Sequence, residues 1–444
     1  ALPIFDPEWI IPIQPAGLTL QAHSVLVRDG RIVALVPRSE ADALWQADLV
    51  HALPGQVLLP GLVNLHCHAA MSLMRGLADD LPLMTWLSKH IWPAEARHVS
   101  PAFVRDGTRL ACMEMLAGGI TCFNDMYFYP EAAAQASLDC GMRASIGMIT
   151  IDFPTAYASD SDDYLAKGLA ARDRFRDSPL LNFCMAPHAP YTVSDRAFSR
   201  LVTIAEELDL PIHLHVHETR EEVDTAVREH GTRPLARLDA LGVVGPRLVA
   251  VHSVHLEAGE IDLLAAKGAS VAHCPSSNLK LASGIAPVAQ MLARGLNVGL
   301  GTDGAASNNR LDLFTEMRTA ALLAKAAGER ADAMPAAEAL SAATLNGART
   351  AGLADLGALQ PGMRADVTIL DLRDISYVPF NSAARQLVFS ESGRAVETVL
   401  VGGRVVVRDG KLTFILARGI GQAFVAKNVA TAEVRAVLDR AIAA

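Results

Sequence analysis

Eight short apolar runs, each long enough for one strand, recur through the middle of the chain. They begin near Val57, Ile120, Arg143, Leu181, Pro211, Leu248, Ser270 and Asn297. Amphipathic helical patterns separate most of them. Such alternation predicts parallel strands, because a parallel pair needs a crossover long enough to hold a helix. Eight units are the number that closes a (β/α)8 barrel of the TIM type. At 444 residues the chain has room for such a barrel, which takes roughly 250 residues. An open doubly wound sheet is the competing arrangement. The helices carry their own punctuation. Ser100 is placed as an N-cap, Pro101 fits the first helical position, and Gly118-Gly119 ends the pattern. Residues 310–355 read as helical extensions after the last strand.

The two ends differ from the middle and resemble each other. LTLQAHSVLVRDGRIVALV is a hairpin pattern turning at Asp29-Gly30. Far away, RADVTILDL and VETVLVGGRVVVRDGKLT turn at Gly402-Gly403 and Asp409-Gly410. These segments predict a small β-sandwich domain built from both ends. The expected division is 1–56 for its first part, 57–356 for the catalytic barrel, and 357–444 for its second part with a terminal helix.

Composition narrows the function classes. The chain is 51% hydrophobic and 20% charged, which suits a large buried core. A net charge of −9 argues against a nucleic-acid binder or a polybasic membrane anchor. Six scattered cysteines without a C-x-x-C pair fit a reducing compartment, and the start has no basic n-region or apolar h-region. A cytoplasmic enzyme is expected. Residues 52–74 lack charge, but their prolines, glycines and histidines suit a buried strand and loop, not a membrane span.

Histidines fall at the carboxyl ends of the apolar runs, the rim where barrel active sites sit. The first run ends Asn64-Leu65-His66-Cys67-His68. Residues i and i+2 of a strand share a face, so His66 and His68 can address one metal while Cys67 turns into packing. The fifth run reads Ile212-His213-Leu214-His215-Val216-His217-Glu218, and periodicity does not choose among its three histidines. The sixth run ends at His252, and the eighth leads to Asp303. Three imidazoles and one carboxylate suit Zn2+, with Fe2+ or Mn2+ as alternatives. No lysine ends the fourth run to bridge a second ion, so one metal per subunit is expected. Such a centre delivers metal-bound hydroxide for a hydrolysis.

The segment PGLVNLHCHAAMSLMRGLADDLPLMTWLSKHIWPAEA, with APHAPYTVS, HLHVHET, VHSVHL, HCPSSNLKLASG and GLGTDGAASNN, resembles the amidohydrolase superfamily. Within it, the run through Trp86 and Trp92-Pro93-Ala94-Glu95 is similar to the 5′-methylthioadenosine/S-adenosylhomocysteine deaminases. The resemblance implies metal ligands at His66, His68, His215 and Asp303, and leaves His213 and His217 structural. It implies Glu218 as the acid that protonates a purine ring nitrogen, and His252 as the group orienting water. Asp303 would also accept the water's proton. Glu95 would bind ribose hydroxyls, His188 would contact the base, and Trp86 would wall the pocket.

One departure bears on substrate. Some members carry an arginine soon after the third strand to hold a homocysteine carboxylate. Here that stretch reads Ser145-Ile146-Gly147-Met148-Ile149. Unless Arg172 or Arg174 substitutes, methylthioadenosine ranks above S-adenosylhomocysteine, with adenosine also possible. The expected partner is therefore a small purine nucleoside thioether, with no nucleic acid and no membrane, on a homo-oligomer (dimer or tetramer). A deaminase or chlorohydrolase of guanine or a triazine on the same metal site is the alternative. Arg75, Asp79 and Asp80 read as loop ion-pair partners, and Asn278 and Lys280 as residues shaping the rim.

Overall fold

A computed structural model describes residues 2–412 and the paired strands Phe414–Ala417 and Ala423–Ala426. The terminal helix expected within 357–444 lies outside the described residues. Eight parallel strands form one sheet in sequential order. They are β1 (Leu62–Cys67), β2 (Ile120–Tyr127), β3 (Arg143–Thr150), β4 (Leu181–Pro187), β5 (Ile212–Val216), β6 (Leu248–His252), β7 (Ser270–His273) and β8 (Asn297–Leu300). The alternation of apolar runs and helices is realised as a barrel.

Side chains and backbone just past β8 bridge it back to β1. The Asn64 amide donates to Thr302 Oγ1 at 2.7 Å, and its Oδ1 accepts the Thr302 N–H at 2.9 Å. The Asp303 N–H donates to the His66 carbonyl at 2.9 Å. Gly301 permits this approach: a Cβ there would lie 2.8 Å from both the Cβ and the backbone nitrogen of His66. The seam of the barrel thus brings the H-x-H segment against Asp303.

The helix after the first strand begins where its sequence predicts. It spans Pro101–Ala117, and the Ser100 hydroxyl accepts the Phe103 N–H. That bond satisfies one of the orphan donors at the helix start. Past β8, helices Leu313–Ala327, Ala336–Ala342 and Leu345–Thr350 extend the barrel wall.

Both ends of the chain build a second, nine-stranded sheet. Val25 and Val27 from its N-terminal hairpin share a buried cluster with Leu58, Val367 and Leu400, so the sheet rolls over its own core. The apolar run that starts at Val57 is divided. Leu49–Pro60 pairs with Val367–Asp371 in the end sheet, and the barrel strand starts only at Leu62. Gly61 marks the change, because a Cβ there would collide with Thr121. Among the described residues no helix is long and apolar enough to cross a membrane.

Candidate metal centre and substrate cavity

His66 and His68 project from the end of β1, His215 from β5, His252 from the end of β6, and Asp303 from the loop after β8. Asp303 Oδ1 lies 3.2 Å from His66 Nε2 and 3.2 Å from His68 Nε2. His215 Nε2 lies 3.3 Å from His66 Nε2. Ligands about 2.0–2.1 Å from a tetrahedral zinc are separated by about 3.3 Å, so these spacings fit one ion. His252 forms a second compact group with His66 and His215.

The other face of each group is already engaged. His68 Nδ1 meets the Met126 carbonyl at 2.6 Å, and His215 Nδ1 the His188 carbonyl at 2.8 Å. His66 Nδ1 meets His213 Nε2 at 2.9 Å, and His252 Nδ1 meets Asn278 Oδ1 at 2.8 Å. Asp303 Oδ2 accepts the hydroxyls of Ser277 and Ser307. Such contacts select the tautomer and aim the remaining nitrogen or oxygen at the point these groups share, where an ion would sit. Cys67 turns away, with its thiol against Asp125.

Burial sets the protonation of this cluster. It pushes His66 down to about 4, and His213 and His215 well below the usual histidine range. These imidazoles are therefore neutral, the form that ligates metal. Burial also opposes a charge on His68, but its contacts with Asp303 and Met126 outweigh this and raise it to about 9. Burial would raise Asp303 too, yet the His66 and His68 contacts hold its carboxyl far below the usual value. A buried carboxylate that gathers two imidazoles has the electrostatics of a cation site.

The turn after β5 is strained in a useful place. His217, His252 and Asp303 adopt left-handed φ angles of 54°, 67° and 61°. Glu222 reaches back from its helix to accept the N–H groups of His217 (2.9 Å) and Glu218 (2.8 Å). Glu218 is buried, 3.7 Å from His252 Nε2, and burial raises its carboxyl above the ordinary range. His217 packs away from the cluster, where its Nε2 accepts the Leu235 N–H.

A cavity of about 570 Å³ opens above these groups. His68, His215, Glu218, His252 and Asp303 line it, as do Trp86, Glu95 and His188. Burial lowers His188 to about 3, so it presents a neutral ring. Trp86, Trp92 and Glu95 come from the excursion between β1 and the helix at Pro101. The loop after β3 adds Phe153 and Tyr157. No lysine or arginine is among the described lining residues. Arg172 pairs with Asp173, Arg174 lies over the Phe175 ring, and neither lines the cavity.

Every residue expected at the site thus reaches this cavity or its floor. Sequence reasoning missed Tyr127, Glu222, Ser277 and Ser307, treated His213 as merely structural, and gave Asn278 no chemistry. The Ser-Ser-Asn stretch just past the seventh run was the available signal for Ser277 and Asn278.

A barrel with an H-x-H strand end, a histidine on β5 and an aspartate past β8 defines a metal-dependent hydrolase. Residues 57–406 match the Amidohydrolase family, and the chain belongs to it. It is 46% identical over 416 residues to a 5-methylthioadenosine/S-adenosylhomocysteine deaminase of Teredinibacter turnerae, covering 94% of each chain. It is 44% identical to a 5'-deoxyadenosine deaminase of Methanothermobacter thermautotrophicus, covering 88% of this chain and 91% of that one. A solved adenosine deaminase from Xanthomonas campestris with bound zinc superposes with a TM-score of 0.94 at 43% identity, covering 100% and 99%.

Proposed function

We propose that the chain is a zinc-dependent deaminase that hydrolyses 5′-methylthioadenosine to its inosine analogue and ammonia. The observation that carries this is the shared cavity. It presents Glu218 and the metal cluster together with Glu95 and an apolar, aromatic wall free of positive charge. An aminopurine, a ribose and an uncharged thioether each find a matching surface there. The related deaminases and the zinc-bound neighbour support the same chemistry.

His66, His68, His215 and Asp303 would hold the ion. Zinc on such a site lowers the pKa of a coordinated water to about 7. Glu218, whose carboxyl burial shifts toward the neutral acid, donates to the purine ring nitrogen as water adds to the carbon bearing the amine. Asp303 accepts the proton that the water gives up, and His252 orients the oxygen. As the carbon–nitrogen bond breaks, Asp303 passes its proton to the departing amine, which leaves as ammonia, and the new hydroxyl gives its proton back to Glu218 as the carbonyl forms. His188 contacts the base, Trp86 closes the pocket, and Glu95 accepts hydrogen bonds from the ribose diol. The missing cationic lining ranks methylthioadenosine above S-adenosylhomocysteine, whose amino-acid end would lose its water here.

Ammonia release by zinc-loaded protein tests this, across methylthioadenosine, S-adenosylhomocysteine, adenosine, guanine and a chlorotriazine, with a chelated control. Chelator-sensitive turnover best on methylthioadenosine is expected. Turnover of guanine or the triazine alone would overturn the substrate assignment.

A further inference from the structure

Glu95 stands on the short helix Trp92–His98, in the excursion that covers the cavity. That excursion is irregular: a π-turn at Leu87–Ile91 joins the helix to the turn Leu83–Trp86. Apolar side chains such as Leu83, Leu87 and Ile91 hold it down, and these contacts do not fix a direction for a carboxylate. Among the described residues, the excursion from Leu83 to Val99 makes one side-chain hydrogen bond to the barrel. In it the Tyr127 hydroxyl donates to Glu95 Oε1 at 2.8 Å.

Tyr127 is buried at the last position of β2, with its ring centroid 6.4 Å from that of His68. Its neighbours already serve the site. Asp125 accepts the Ala69 N–H just past His68, and the Met126 carbonyl holds the His68 ring. Tyr127 extends this row toward the carboxylate expected to meet the ribose. Burial keeps the phenol protonated, so it acts as a donor at neutral pH. A phenol fixed to Oε1 leaves Oε2 free and restricts rotation of the carboxylate.

We propose that Tyr127 is a positioning residue for ribose recognition, orienting Glu95 so that its free oxygen meets the substrate diol. This rests on the reading of Glu95 as the ribose contact. Removing one hydrogen bond to a charged group weakens binding by roughly tenfold.

The test compares zinc-loaded wild type, Tyr127→Phe, Glu95→Ala and the double variant. Each is given 5′-methylthioadenosine and its 2′,3′-dideoxy counterpart, and zinc content and thermal unfolding are recorded. Tyr127→Phe should raise KM for the diol substrate about tenfold, leave kcat within about twofold, and leave the dideoxy substrate unchanged. In the Glu95→Ala background it should add nothing. Equal effects on both substrates, or none, would overturn the role of Tyr127. A Glu95→Ala variant without diol selectivity would instead remove the ribose assignment, and this proposal with it. If Tyr127→Phe folds poorly, the affinity of Tyr127→Met, which also lacks a donor and adapts to a buried site, for the inosine-type product, with and without the diol, is measured by calorimetry. Loss of diol preference there supports the role, and its retention overturns it.

Discussion

The Glu222 carboxylate accepts the backbone N–H of Glu218 at 2.8 Å, four residues back along the chain. It also holds the N–H of His217, the residue at the left-handed φ of 54°. The proposed proton donor is therefore positioned by a half-buried acid that does not line the cavity. Glu218→Gln should retain zinc and lose at least about 10³-fold in kcat, since general acid catalysis contributes about 10²–10⁴-fold. Glu222→Ala should retain zinc and lower kcat less, with Glu222→Gln between it and wild type because one acceptor oxygen remains. Near-full activity in Glu218→Gln would remove Glu218 from the proton-transfer step.

His66 is the proposed ligand whose outer nitrogen meets another imidazole, His213 Nε2 at 2.9 Å. Outer contacts of this kind typically govern metal affinity by about 10–100-fold. His213→Ala should weaken zinc binding by about that factor in chelator competition, with the fold retained. Unchanged affinity would leave His213 as packing alone.

Glu95 supplies the pH dependence that separates substrates. Burial raises its carboxyl to about 7, against the opposing Tyr127 hydrogen bond and the nearby His68. The ordinary value is 4.5, so the shift favours the neutral acid. Below pH 7 Glu95 therefore loses the charge that would accept the ribose hydroxyls in the proposed complex. The kcat/KM for methylthioadenosine, divided by that for its dideoxy counterpart, should fall as pH drops from 8 to 6. Taking the ratio cancels the titration of the metal water, which both substrates share. In Glu95→Gln the ratio should be flat across this range. A wild-type ratio that does not change with pH would mean that Glu95 stays ionised or does not touch the diol.

What the sequence discloses follows from the range of each interaction. Strand alternation is local, so the eight runs and the common face of His66 and His68 are legible. The capping of the helix at Pro101 by Ser100 is legible for the same reason. The seam is not: Asn64 and Thr302 lie 238 positions apart, and only barrel closure brings them together. Tyr127 ends its run as an ordinary aromatic strand residue, and its partner Glu95 belongs to an irregular excursion. Val57 begins an unbroken apolar run, and its strand is assigned to the end sheet by pairing with Leu370. The resemblance to known deaminases narrowed the histidines of the fifth run to His215, which periodicity left open.

Asp366 and Arg143 join the end sheet to the base of β3. The guanidinium grips the carboxylate through Nε at 2.8 Å and Nη2 at 3.0 Å, and the side chains are 3% and 0% exposed. Asp366 also accepts the Gly402 N–H, and Arg143 donates to the Pro179 carbonyl. Each guanidinium nitrogen and both carboxylate oxygens are thus engaged. Breaking a buried pair from one side strands the other charge and costs about 3–5 kcal/mol, whereas replacing both sides with apolar groups costs far less. Asp366→Asn, nearly isosteric, should lower the unfolding midpoint of the zinc-loaded protein by several degrees. Arg143→Met with Asp366→Leu should recover most of that loss. An Asp366→Asn protein that melts with wild type would show that this pair does not tie the end sheet to the barrel.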